Sequence, residues 1–304
     1  MPMKLLPDYS IIIPTYNHAD YLGRCIQSLL RQTISNWEAI IVNNFSQDNT
    51  VDVINKYQDE RIKLINFSNN GIIAASRNIG IRHAQSSYIA FLDSDDWWYP
   101  RKLETITEHL SQGDVLYHDL DLYTPKGKRY FKKSHGRRLA VPSFIDLIVN
   151  GNAIPNSSAV VKRTLLEQVG GLCEDKSFVA VEDYDLWLRL AKITDKFHYI
   201  HRSLGGYWVG DTSITEVSKK QVMRIEALYQ KHLNTVGCEH IGAAVAFKKY
   251  CLGGLHYKMG LLDEALPLLT EARRVKDPLT KFKSYCYRLL IAIRSLKKHI
   301  CILL

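Results

Sequence analysis

The stretch Ile89-Ala-Phe-Leu-Asp-Ser-Asp-Asp96 decides the fold. From Ser87 to Leu92 the β-branched and aromatic content is that of an interior strand, and it breaks off into three carboxylates, Asp93, Asp95 and Asp96. In an open α/β sheet, ligands gather outside the carboxyl ends of the strands. Oxygen-only ligands on a short turn favour Mg²⁺ or Mn²⁺ over zinc, and such ions leave coordination positions for phosphate oxygens. The triplet therefore reads as a metal–diphosphate site. Asp-rich turns also cap helices, and Pro100 reads as the first turn of one, so the surrounding sequence has to decide.

Upstream, the pattern alternates strand and helix with short polar connections, which predicts a parallel sheet. Strands are expected at Ser10–Pro14, Glu38–Val42, Ile62–Asn66 and Tyr88–Leu92, and helices near Asp20–Gln32, Thr50–Tyr57 and Ile72–Ala84. Beyond Pro100 a helix precedes a strand at Asp114–His118 and a ribbon around Tyr123-Thr-Pro-Lys-Gly-Lys. Helical pieces near Pro142–Val149, Arg163–Gln168 and Tyr184–Leu190 bracket strands at Ser158–Val161 and Lys196–Ile200, so the sheet is mixed. From Glu216 helical periods replace strand character, which divides the chain into a domain over 1–215 and an all-helical extension over 216–304.

The chain has 304 residues, enough to bury a full core, and a net charge of +9 that attracts anionic partners without choosing among them. Six cysteines form no CxxC pair and no zinc-type spacing with His, so neither a metal knuckle nor a disulfide framework is expected. The N-terminus has no signal-peptide pattern, and no apolar run reaches the roughly 18 residues of a membrane span. A cytoplasmic protein with reduced thiols is the expectation.

Two loops share the carboxyl edge with Asp93. In Ile13-Pro-Thr-Tyr-Asn17, Tyr16 can stack on a flat base while Thr15 and Asn17 offer hydrogen bonds, although Pro and Asn also suit a plain turn. In Val42-Asn-Asn-Phe-Ser-Gln-Asp-Asn-Thr50, helix capping accounts for Ser46 to Thr50 and leaves Asn43 and Asn44 to another purpose. Arg77 adds a planar cation suited to a carbonyl or phosphate.

These features occur in a recognisable series: Pro-Thr-Tyr-Asn17, Leu29-Leu-Arg-Gln-Thr33, Ala75-Ser-Arg-Asn78, Phe91-Leu-Asp-Ser-Asp-Asp96, Asn156-Ser-Ser-Ala-Val-Val, Gly170-Gly-Leu and Val181-Glu-Asp-Tyr-Asp-Leu-Trp-Leu-Arg189. Over roughly residues 8 to 215 the chain resembles the family 2 glycosyltransferases of bacterial envelope polysaccharide assembly. The resemblance implies the GT-A fold, a Rossmann-like α/β architecture with a mixed central sheet flanked by helices. It places Pro14, Thr15, Tyr16, Asn17 and Asn44 around the nucleotide base with Arg77 beside it, Asp93 near the ribose, and Asp95 on the Mn²⁺ or Mg²⁺ that bridges the diphosphate. Asp183 matches the catalytic base, with Glu182 beside it. A carboxylate in that position makes chemical sense, because an acceptor hydroxyl attacking an anomeric carbon must lose a proton.

The chain departs from the family in two places. Asn43, Asn44 and Phe45 stand where relatives commonly carry two Asp and a Gly; Asn44 keeps a carbonyl able to accept the imide N–H of uracil, which favours a UDP donor. A Tyr-Arg-x-His segment is replaced by Tyr207-Trp-Val-Gly210, followed by Thr212 and Ser213, so the expected His is missing. Of the aromatics after the acidic triplet, Trp98 is assigned to acceptor or sugar contact, together with Glu182, because sugar faces pack on rings.

In the extension, Tyr257 to Leu269 resembles half of one tetratricopeptide repeat, too little for a solenoid. Phe282, Tyr285, Leu289, Ile293, Leu296 and Ile300 recur at helical spacing among Lys and Arg, and no acid occurs between 281 and 304. Such a helix suits an anionic membrane surface, a protein core or a second subunit, and an oligomer is left open. The sequence thus predicts metal-dependent, inverting transfer from a nucleotide sugar to a hydroxyl of a growing, lipid-linked glycan at the inner face of the membrane, in O-antigen or capsule synthesis. The alternatives are transfer to a polyprenyl phosphate, or a non-catalytic nucleotide-sugar binding or scaffold protein. No nucleic-acid motif accompanies the positive charge.

Overall fold

The computed structural model describes residues 6–134, 136–210 and 217–303. The chain divides into two compact units, one of residues 1–140 with 153–213 and one of residues 141–152 with 214–304.

The first unit begins with β1 (Tyr9–Thr15), α1 (Ala19–Leu30), β2 (Trp37–Asn43), α2 (Thr50–Asn55), β3 (Ile62–Asn66), α3 (Ile73–His83) and β4 (Tyr88–Phe91). It continues through β5 (Trp97–Trp98), α4 (Lys102–His109), β6 (Val115–Thr124) and β7 (Gly127–Ser134). The second unit contributes α5 (Ser143–Asn150), after which the first resumes with β8 (Val160–Lys162), α6 (Arg163–Gln168), α7 (Glu182–Leu190) and β9 (Phe197–Trp208). Among the described residues the strands form one sheet in the order β3-β2-β1-β4-β8-β6-β9-β5, with β7 paired to β6.

β1 and β2 are buried along their whole length, as expected of parallel strands covered on both faces. Ile11, Ile13, Ala39, Ile41, Ala90 and Leu92 join Leu22, Cys25, Ile26 and Leu29 of α1 in the core. Each fully buried Ile or Leu side chain contributes about 1.5–3 kcal/mol of transfer free energy.

Directions along the sheet position the site. β1, β2, β3 and β4 run parallel. β4 pairs antiparallel with β8 and β8 antiparallel with β6, so the two reversals return β6 to the direction of β4. β9 runs parallel to β6. The carboxyl ends of β1, β2, β4, β6 and β9 therefore share one edge.

The mixed sheet follows the expectation, but two elements are longer. β6 continues past His118 to Thr124 and turns into β7, and β9 extends from the expected Ile200 to Trp208. β5 was not foreseen. It exists because Trp97 and Trp98 pair with Gly206 and Gly205 of β9, where a Cβ on Gly206 would meet the Trp97 ring at 2.2 Å.

The second unit comprises α5 with α8 (Lys219–Leu233), α9 (Cys238–Lys258), α10 (Leu262–Glu271) and α11 (Pro278–Leu303). α5 packs on α9, and the hydroxyl of Tyr229 in α8 donates to the Ile148 carbonyl at 3.2 Å. Ala265, Leu269 and Ile291 form a small core with Tyr250, Tyr257, Leu262 and Tyr287 around it. Phe282, Tyr285, Leu289, Leu290 and Ile293 of α11 are exposed, whereas the side chains at Leu296 and Ile300 lie outside the description. Among the described residues no helix is long and apolar enough to cross a membrane.

Candidate active site

The loops after β1, β2 and β3 are tied together by their own amides. Asn44 N–H donates to the Thr15 carbonyl at 3.0 Å, Asn17 N–H to Ser46 Oγ at 2.9 Å, and Gln47 N–H to Asn17 Oδ1 at 2.8 Å. Asn17, Phe45 and Asn70 occupy the left-handed region, each at φ 51°. Asn tolerates that conformation, whereas it is strained for a bulky residue such as Phe45. Tyr16 is 49% exposed and Phe45 58% exposed, leaving two aromatic rings open on adjacent loops. Pro14 and Thr15 are buried at the end of β1, with Thr15 Oγ1 lacking a hydrogen-bond partner among the described residues.

The two Asn residues of β2 separate in role. Asn43 is buried and structural: its Nδ2 donates to Asn66 Oδ1 and its Oδ1 accepts from Ser46. Asn44 Oδ1 already accepts the N–H of Asn69 at 2.9 Å, so one lone pair of the carbonyl expected to meet uracil is engaged by the chain itself. One lone pair of the Asn17 carbonyl is likewise engaged, by Gln47 N–H.

Arg77 is the hub of the acidic side. It is 3% exposed on α3, and its guanidinium donates to Asp93 Oδ1 at 2.7 Å and to Glu182 Oε1 at 2.6 Å. Asn156 Nδ2 adds a second donor to Asp93 Oδ1 at 3.1 Å, and Asp93 N–H donates to Ser157 Oγ. On the next position of α3, Asn78 donates to the Leu172 carbonyl and to Glu174, and accepts from Leu172 N–H. A Cβ on Gly171, which lies at φ 73°, would meet Asn78 Oδ1 at 2.5 Å, so this clasp needs glycine. α3 thereby anchors both ends of the segment that delivers α7.

Glu182 and Asp183 occupy the first turn of α7, where the helix dipole favours negative charge. Glu182 is buried and paired with Arg77, which makes it a positioning group rather than a surface for sugar. Asp183 is half-buried, and its carboxyl is pushed up to about 7 by burial and then by Glu182, with Arg77 opposing. Burial and Asp93 raise the Asp95 carboxyl to about 6.

Asp96 turns inward. Its Oδ1 accepts Trp208 N–H at 2.8 Å and joins the end of β9 to the acidic loop, while its buried Oδ2 has no partner among the described residues. Burial followed by Asp95 and Asp93 holds its carboxyl well above the usual range. Tyr207 lies in the same field: burial and then Asp96, Asp93, Asp95 and Asp183 push its hydroxyl upward.

Several contributors carried no local signal in the sequence. Arg24 of α1 donates to the Asp95 carbonyl at 2.7 Å, and its guanidinium lies 3.8 Å from the Trp97 ring centre and 4.9 Å from that of Trp208. His18 Nδ1 and Ser94 Oγ share a 2.8 Å hydrogen bond. Asn69 serves through Asn44, and Asn156, whose motif the sequence offered without a role, serves through Asp93. As with Glu182, the assignment of Trp98 to sugar contact is corrected: Trp98 is 2% exposed, its indole N–H donates to the Ser157 carbonyl at 2.7 Å, and it packs in the core, so neither ring face is open to a sugar. Trp97, stacked on Arg24 and 4.6 Å from Tyr123 between ring centres, is the partly exposed member of the pair.

Among the described residues no group of three or more His, Cys, Asp and Glu forms a closed metal cage. The donor set nonetheless fits a hard cation held by one or two carboxylates together with phosphate oxygens. Asp95, raised by burial and then by Asp93, lies beside Asp93 and Asp96, a cluster of carboxyl groups whose mutual repulsion such a cation would relieve.

The carboxyl edge of this α/β sheet carries paired loop amides, open aromatics and a convergent set of acids on a fold of GT-A architecture. The chain matches the Glycosyl transferase family 2 model over residues 10–167. It is 31% identical over 193 residues to the Escherichia coli UDP-Glc:alpha-D-GlcNAc-diphosphoundecaprenol beta-1,3-glucosyltransferase WfgD, covering 62% of this chain and 72% of the relative. The fold matches S. aureus TarS 1–349 in complex with UDP-GlcNAc at TM-score 0.61 and 16% identity, covering 93% and 89% of the two chains. It also matches the mannosyltransferase PcManGT from Pyrobaculum calidifontis in complex with GDP-Man and Mn²⁺ at TM-score 0.56 and 16% identity, covering 96% and 88%. The chain belongs to glycosyltransferase family 2, as its motifs led us to expect.

Proposed function

We propose that this glycosyltransferase transfers one sugar, with inversion, from a UDP-linked donor to a hydroxyl of a growing lipid-linked glycan, with Asp183 as base. The observation that carries this reading is Arg77, which binds Asp93 and Glu182 at once and so draws the Asp-x-Asp loop and the start of α7 onto one edge.

In this reading Tyr16 and the loop around Asn44 receive the base, Asp93 the ribose, and Asp95 the Mn²⁺ or Mg²⁺. When held there, the ion would supply neutralisation of charge on the departing diphosphate without requiring a proton. Asp183 takes the proton of the acceptor hydroxyl as its oxygen bonds to the anomeric carbon and the bond to the diphosphate breaks. A group near 7 is suited to that task at neutral pH. One displacement inverts the anomeric centre. Residues 1–215 carry this chemistry, and 216–304 form the helical extension.

The UDP donor and lipid-linked acceptor are supported by WfgD, whose name states both, and the donor also by TarS, whose fold holds UDP-GlcNAc. We place the reaction in envelope polysaccharide synthesis, O-antigen or capsule, at the cytoplasmic face of the membrane. The exposed apolar side chains of α11 with Lys281, Lys283 and Arg288 supply a surface for peripheral attachment to anionic lipid.

The test is release of nucleoside diphosphate from UDP-, GDP- and dTDP-sugars with and without Mn²⁺. Metal-dependent release from UDP donors that Asp95→Ala and Asp183→Asn both suppress supports the reading. Absence of both release and metal-dependent nucleotide binding overturns it.

A further inference from the structure

Between Leu122 and Ile145 the chain contains no acidic residue, yet Lys126, Lys128, Arg129, Lys132, Lys133, Arg137 and Arg138 fall within it. This run contains the β6–β7 hairpin. The strand directions send the end of β6 to the same edge as Asp93, and the register is explicit: Tyr123 pairs with Trp208, whose N–H is held by Asp96. The turn at Pro125–Lys126 thus projects beside the acidic loop, one strand spacing from β9.

The acids beneath the hairpin are already engaged. Asp121 accepts from Lys128 at 2.6 Å and from the Tyr99 hydroxyl at 2.7 Å. Asp119 accepts from the Tyr199 hydroxyl and from Gly136 N–H. Lys126 and Arg129 are exposed and have no ion pair among the described residues. Trp97, which follows Asp96, and Tyr123, three residues before Lys126, are both partly exposed and meet at 4.6 Å between ring centres. One edge therefore carries an acidic region, an aromatic step and a basic projection in sequence.

We propose that the basic β6–β7 hairpin receives the diphosphate of the lipid-linked acceptor, so that the sugar attached to it lies over Trp97 and Tyr123 and turns a hydroxyl toward the acidic edge. The inference rests on the lipid-linked acceptor of the proposed function and narrows it to acceptors whose modified sugar lies close to the diphosphate. Charge complementarity selects this occupant: the acidic region repels phosphate unless a metal intervenes, whereas Lys126 and Arg129 attract it.

The test is titration of the whole chain with farnesyl diphosphate and with farnesol, in saturating UDP and Mn²⁺ so that the donor site is filled. The wild type is compared with Lys126→Glu/Arg129→Glu, and melting temperature confirms folding. Diphosphate binding that exceeds farnesol binding and falls about tenfold or more in the double variant, with UDP binding unchanged, supports the proposal. A milder Lys126→Gln/Arg129→Gln pair is expected to fall between the two. Equal affinity in wild type and both variants overturns it, as does a wild type that does not distinguish diphosphate from alcohol. Loss of binding to phosphatidylglycerol vesicles with soluble diphosphate binding intact overturns it in favour of lipid headgroups. Failure of wild-type UDP binding strikes the donor reading instead.

Discussion

Arg77 on α3 and Glu182 on α7 meet at 2.6 Å although 105 residues separate them in the chain. With Asp93 on the other arm of the same guanidinium, this contact sets the relation between the acidic loop and the carboxylate at Asp183. Arg77→Ala leaves Glu182 buried and unpaired, and the expected loss is about 3–5 kcal/mol. Urea unfolding checks it. Arg77→Lys retains the charge but cannot fork to both acids, so it is expected to recover only part of that loss. A midpoint unchanged in Arg77→Ala would remove Arg77 from this role.

Asp183 is raised to about 7, so its proton is held below that pH and released above it. The basic form is therefore present above about 7 and falls as pH falls through it. Transfer rate with saturating donor is expected to drop about tenfold per unit below that value and to plateau above it. Asp183→Asn should lower the plateau by about 10²–10⁴-fold while leaving UDP affinity within about twofold. A flat profile from pH 5.5 to 8.5 would contradict the assignment.

Phe45 holds a left-handed backbone at φ 51° with its ring 58% exposed, a cost that packing does not repay. Phe45→Gly is expected to stabilise the fold by about 1 kcal/mol, read as a higher melting temperature. If the ring also serves the base beside Tyr16, the same variant binds UDP more weakly. Titration of both quantities separates stability from binding.

Arg24 fixes the Asp95 carbonyl from behind while filling the gap between Trp97 and Trp208. Groups that orient a metal ligand typically matter by about 10–100-fold in metal affinity. Arg24→Met keeps much of the stem and loses the donor, so the Mn²⁺ concentration for half-maximal binding, followed by calorimetry with UDP, should rise about tenfold. No change would confine Arg24 to packing.

The sequence by itself determined the alternation of strand and helix through β4, because buried strands and amphipathic helices have periods set by local geometry. It also singled out Asp93 and Asp95, as carboxylates at the end of an apolar strand, and Asp183, through its motif, as candidates for a site, whereas the burial of Asp96 and Glu182 beside them came only from the fold. It did not distinguish Trp97 from Trp98, although they are neighbours: β5 pairs with the two glycines of β9, and that pairing sends one ring to the core and leaves the other partly open. Only the tertiary structure decided that Asn44 and Asn17 each engage one carbonyl lone pair within the chain, that Arg24 and Asn156 stand behind the acids, and that the basic hairpin shares their edge. Those are contacts between residues far apart in sequence, fixed by strand order and register, which no local propensity encodes.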